Sequence, residues 1–177
     1  MSYITKKHIG FYLISLVLLA IFIAPGAYAG TQSVSLDPGE MTLLSGEEAE
    51  LKVMYEVLDG KKKTTGICIR IHYNSKVIDK LEIVDPYGEN LIGLHTSPQD
   101  DKDDFDNDAS TDKYLNIAWM GITGQWPALL NMDNPAQIAK LRVKANGVGA
   151  TKINLTAKET AKSYDFKGVG AEIFVTP

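Results

Sequence analysis

Along most of this chain apolar residues recur at every second position, in short runs that Gly, Pro, Asn and Asp interrupt. Such alternation sets one row of side chains against a core and the other toward solvent, as in a half-buried strand. The clearest run is "TGICIRIHYN", where Ile67, Ile69, Ile71 and Tyr73 point one way and Cys68, Arg70 and His72 the other. In "LKVMYEVL", Leu51, Val53, Tyr55 and Val57 alternate with Lys52, Met54 and Glu56, and in "KYLNIAWMG" Leu115, Ile117 and Trp119 share a face. "SVSLDPG", "KLEIVDP", "AQIAKLRVKA", "TKINLTAK" and "GAEIFVTP" supply further strands, with turns at "SGEE", "DGKKK" and "NGVGA". A short helical turn is expected around Ala128–Asn131. The pattern predicts an all-β fold: one antiparallel β-sandwich of jelly-roll topology with about nine strands.

The first 29 residues read differently. Lys6, Lys7 and His8 precede the apolar run "IGFYLISLVLLAIFIA", then Pro25-Gly26 and the small residues Ala27 and Ala29. This is the layout of a secretory signal peptide cleaved after Ala29, leaving 30–177 as one exported domain. A retained anchor is the alternative, but the run falls short of the roughly 20 residues a span needs, so no membrane insertion of the mature chain is expected. Cleavage removes two lysines and no acids from a chain of net charge -4. An acidic surface repels nucleic acid and anionic lipid alike. The single cysteine, Cys68, rules out an internal disulfide, so stability must come from the core, a metal or assembly.

That makes the segment "DDKDDFDNDASTD", Asp100 to Asp112, worth following: seven aspartates against one lysine. Asp104, Asp106 and Asp108 stand at alternate positions, with Asp112 beyond them and Asn107 as a neutral oxygen donor. A loop curling on this spacing brings several oxygens to one hard cation, which is how Ca2+ is held. It is no EF-hand, because Ala109 stands where that loop needs Gly and Leu115 where it needs Glu. The competing reading is a solvated acidic loop. The expectation is a structural calcium ion.

Other chemistry is thinner. His72 and His95 lack partners at metal-ligand spacing and read as ordinary histidines. Cys68, between Ile67 and Ile69, reads as a packing residue, with an intermolecular disulfide as the alternative. Glycoside hydrolysis needs two facing carboxylates, and nothing pairs Asp79, Glu82, Asp85, Glu89 or Glu172. Neither a Ser-His-Asp order nor a nucleophile elbow is present, so no enzyme is expected. Trp119 belongs to the core face of its strand; Trp126, Tyr87 and Tyr114 are the candidate ligand-contact aromatics, with packing over the sandwich end the favoured role for Trp126 and ligand contact the alternative. "NLT" at Asn154 is a glycosylation sequon set in a strand.

Four stretches together resemble the cohesin domain family: "LLSGEEAELKVMYEV", "TGICIRIHYNSKVIDKLEI", "KYLNIAWMG" and "AQIAKLRVKANGVGATKINLTA". The resemblance spans nearly all of the mature chain and implies a nine-stranded jelly roll related to several carbohydrate-binding modules. Asn74-Ser75 stands where the family has Asp-Pro, and the acidic segment is longer than in cellulosomal cohesins. The fold follows from this likeness; a dockerin partner does not. Two functions fit: a secreted, non-enzymatic recognition module for a protein or glycan at the cell surface, or a subunit that binds copies of itself in an extracellular filament. In the second, the strand-like "GTQSVSLDPG" completes a neighbour's sheet by donor-strand exchange, with calcium relieving repulsion at the contacts.

Overall fold

A computed structural model describes residues 29–87, 95–127 and 135–177. The signal-peptide segment, Glu89 and the helical turn expected around Ala128–Asn131 lie outside the described residues. Those residues form eleven strands in chain order: β1 Gly30–Asp37, β2 Glu40–Leu44, β3 Glu48–Leu58, β4 Gly66–Tyr73, β5 Ile78–Val84, β6 Gln99–Asp100, β7 Lys113–Met120, β8 Ala136–Ala145, β9 Gly149–Glu159, β10 Tyr164–Val169 and β11 Ala171–Thr176. They build two facing sheets, one ordered β10-β1-β3-β8-β5 and the other β2-β11-β9-β4-β7-β6. Pairing is antiparallel except for β1 with β10 and β2 with β11. The expected jelly-roll sandwich is present, with β2, β6 and β10 in addition to the strands read from alternation.

Alternation sets the core. Val53 and Tyr55 of β3, Ile67, Ile69 and Ile71 of β4, Leu115, Ile117 and Trp119 of β7, and Ile173 of β11 all turn inward and are buried. Burial of such side chains contributes roughly 1.5–3 kcal/mol each. Between β1 and β2 the chain turns at a cis Asp37-Pro38 bond, so the N-terminal stretch serves both sheets in succession.

The strand on which the donor-strand alternative rested is paired within its own chain. β1 lies between β10 and β3, with Gln32 paired to Phe166 on one side and to Val57 on the other. Gln32 itself is buried, and its amide bridges Tyr55, Gly66 and Ala161.

Candidate functional site

The site begins with the face of β4 that points away from the core. Cys68, Arg70 and His72 lie on it, and across the pairings sit Asn116 and Tyr114 of β7 and Asn154 and Thr156 of β9. In a bare sandwich this row would meet water. Here the acidic segment leaves β6, folds back over this face and re-enters the sheet at β7, with the Asp112 amide donating to the Tyr73 carbonyl. Phe105 is its apolar anchor: the Arg70 guanidinium lies 3.9 Å from its ring centre, and the Tyr114 ring meets it edge-on at 5.7 Å.

Beneath the loop the side chains of His72, Asp101 and Asp106 are 0%, 1% and 2% exposed. His72 Nδ1 lies 2.6 Å from Asp101 Oδ2 and 3.9 Å from Asp106 Oδ1, and its Nε2 lies 2.8 Å from the Thr156 hydroxyl. Asp106 also accepts from Asn154 Nδ2 at 2.8 Å and from the Thr111 hydroxyl at 3.0 Å. Among the described residues, these three are the group of His, Cys, Asp and Glu able to hold one metal ion.

The five residues expected to hold calcium are therefore divided. Only Asp106 joins the buried group. Asp108 accepts from the Ser110 hydroxyl and amide and shares the Asn154 amide with Asp106; these bonds, Ser110's above all, hold its carboxyl below the usual carboxylate range. Asp112 accepts from the Ser75 amide and hydroxyl, both at 2.7 Å, and so ties the loop to the β4–β5 turn. Asp104 and Asn107 take left-handed backbone angles, φ 48° and 54°, with exposed side chains. Both residue types tolerate that region better than most. Asp104 and Asp112 line an open concavity with Asp100, Asp101 and Thr111.

His72 and Asp101 are the residues that sequence reasoning passed over. The alternation of β4 placed His72 correctly on the outward face. What it lacked was the loop that covers that face, which is a long-range contact. His95 is exposed and outside the group.

Trp126 has the favoured packing role, not the alternative one of ligand contact. Trp126 is 0% exposed, packed edge-on against Tyr55 at 4.7 Å and near Trp119 at 5.8 Å. Tyr114 is held under Phe105, and Tyr87 packs against the core with its carbonyl accepting from Trp119 Nε1. These three make no exposed stacking platform. Glu82, Asp85 and Glu172 sit in surface ion pairs with Lys80, Lys140 and Lys152, while Asp79 is exposed. Burial pushes the Cys68 thiol upward, away from the reactive thiolate. Asn154, the sequon residue, has its amide nitrogen engaged by two carboxylates.

No family model and no curated protein sequence matches the chain. Among solved structures, a chain of Coh-OlpA-Doc918, a type I cohesin–dockerin complex of Clostridium thermocellum, superposes with TM-score 0.50 at 12% identity, covering 82% of this chain and 99% of that one. The chain has a cohesin-like fold. A type III cohesin module from the ScaE scaffoldin of Ruminococcus flavefaciens gives TM-score 0.48 at 10% identity, over 85% of this chain and 91% of that one. A cohesin module from a Clostridium perfringens family 33 glycoside hydrolase gives 0.45 at 11%, over 85% and 98%. At such identities the likeness is one of fold. No helix of the described residues is long and apolar enough to cross a membrane.

Proposed function

We propose that this domain is an exported, non-enzymatic module that recognises a protein partner at the cell surface. The observation that carries this reading is the superposition, over 82% of the chain, on a chain of a cohesin–dockerin complex. Fold alone does not assign function, so the surface must agree. It does at one end of β7, where Met120 is half exposed and Ile122 is 90% exposed. They flank a groove of about 250 Å³ lined by Thr65, Cys68, Ala118 and Glu159. Exposed apolar side chains beside a groove are the kind of surface a protein partner can bury. The non-enzymatic part of the reading is supported by the sealing of His72, Asp101 and Asp106, which a substrate cannot reach. Calcium belongs to the reading as a stabiliser of the loop's outer rim, where the exposed Asp104 stands beside Asp100 and Asp112.

The test is affinity capture from the source organism's extracellular fraction, followed by calorimetric titration of the purified pair with and without calcium. A saturable protein partner whose binding weakens in Ile122→Asp supports the reading. Retention by glycans in place of proteins, or assembly of the domain alone into large species in sedimentation, would replace it.

A further inference from the structure

The cluster under the acidic loop gathers three metal-ligating side chains that the recognition reading leaves untouched. His72 Nδ1 faces carboxylate oxygens of Asp101 and Asp106 at 2.6 and 3.9 Å, and all three side chains are almost wholly buried. Two carboxylates gathered at so buried a place call for positive charge beside them. The cationic side chains of the neighbouring strands are directed elsewhere: Arg70 donates to the Ala157 carbonyl and lies over Phe105, and Lys113 holds Asp100 at 2.7 Å. A divalent ion would supply that charge.

The donors also select the ion. Calcium takes oxygens; an imidazole nitrogen with two carboxylates suits zinc and its neighbours. Metal bonds of about 2.0–2.2 Å put two ligands of one ion roughly 3–4 Å apart. The Nδ1 to Asp106 separation of 3.9 Å already fits, and the donor atoms of all three residues lie within 4.8 Å of one another. Only the 2.6 Å gap to Asp101 must open, by about half an ångström. The outer partners are in place as well. Were Nε2 to donate its proton to the Thr156 hydroxyl, 2.8 Å away, the Nδ1 lone pair would be left for the metal; Thr111 and Asn154 fix the Asp106 carboxylate.

We propose that His72, Asp101 and Asp106 form a binding site for one divalent transition-metal ion of the zinc class, which locks the acidic loop onto the outer face of β4 and β9. The experiment uses untagged protein stripped with chelator and titrated separately with Zn2+ and Ca2+. The expected result is one equivalent of Zn2+ bound at least about 100-fold more tightly than Ca2+, with the His72 Nδ1 resonance shifted in long-range proton–nitrogen spectra and Nε2 still protonated. Asp101→Asn should weaken Zn2+ binding about 10- to 100-fold, and Asp104→Asn should leave it unchanged. Folded wild-type protein whose His72 Nδ1 does not move at saturating Zn2+ would overturn the site, whatever the variants do. So would Ca2+ displacing Zn2+, or the zinc signal appearing on His95.

Discussion

Gln32→Leu is the sharpest test of how the N-terminal strand is held. The Gln32 side chain is fully buried on β1, between β10 and β3 of one sheet. Its amide nitrogen donates to the Tyr55 hydroxyl at 2.8 Å and to the Gly66 carbonyl at 2.9 Å, and its oxygen accepts from the Ala161 amide at 2.6 Å. Leucine leaves the Ala161 N–H without this partner, at a cost of about 1–3 kcal/mol, and removes two further bonds at about 0.5–1.5 kcal/mol each. The Tyr55 hydroxyl keeps Thr64 Oγ1 at 3.3 Å, so its loss falls at the low end. Extra apolar burial returns about 1–2 kcal/mol. The net expectation is a loss of about 2 kcal/mol, with limits of about 0 and 4, or a fall in urea midpoint of about 1 M for a slope near 2 kcal/mol/M. Equilibrium unfolding followed by tryptophan fluorescence reads this directly. An unchanged or increased stability would refute the claim that this amide clamps β1 to its own domain. A wild-type midpoint that falls on dilution would refute it differently, by showing that β1 comes from another copy.

Three other changes probe separate parts of the structure. Trp126→Ala should cost about 3–5 kcal/mol, and native Trp126 fluorescence should be blue-shifted and unquenched by added oligosaccharides; quenching would restore the aromatic as a ligand contact. Gly66→Ala drives a Cβ into the Trp119 carbonyl oxygen at φ +117°, so a loss above about 3 kcal/mol or failure to fold is expected, and a thermal melt decides. Ser110→Ala should raise the Asp108 pKa, since the Ser110 hydroxyl is the main cause of its depression. A depressed carboxyl stabilises the fold above its ordinary value of 3.8 and loses that contribution as pH falls through the folded value. The variant should therefore lose loop order at higher pH than wild type in a carbon-detected titration.

What was legible in the sequence was what depends on period. Alternation put Ile67, Ile69 and Ile71 inside and His72 outside, because side chains on a strand have only two directions. It missed β10, Tyr164–Val169, whose side chains are mostly exposed and so carry no apolar period. The site was legible only in part. A run of aspartates announced itself, but which carboxylates meet depends on Asn154, Thr156 and Ser75, each distant in sequence from the loop. Trp126 was ambiguous for a related reason. Before a proline in a loop it resembles a surface aromatic, and only its contacts with Tyr55 and Trp119 make it core.

The loop also bears on where a partner can bind. Its aspartates are divided among neighbours: Asp100 with Lys113, Asp112 with Ser75, Asp101 and Asp106 with His72. Each of these contacts pins the segment at the Tyr73 end of β4. β7 is thereby split along its length. At Tyr114 its outer face lies against Phe105, while at Met120 the same face is open, beside Ile122 and the groove. The two ends are separated by six residues of strand, roughly 20 Å. A partner bound at Met120 and Ile122 would not have to displace the loop, so Asp101→Asn should weaken metal binding about 10- to 100-fold and leave recognition unchanged. Loss of both together would mean that the loop itself is part of the contact surface, and would move the recognition site to the opposite end of the strand.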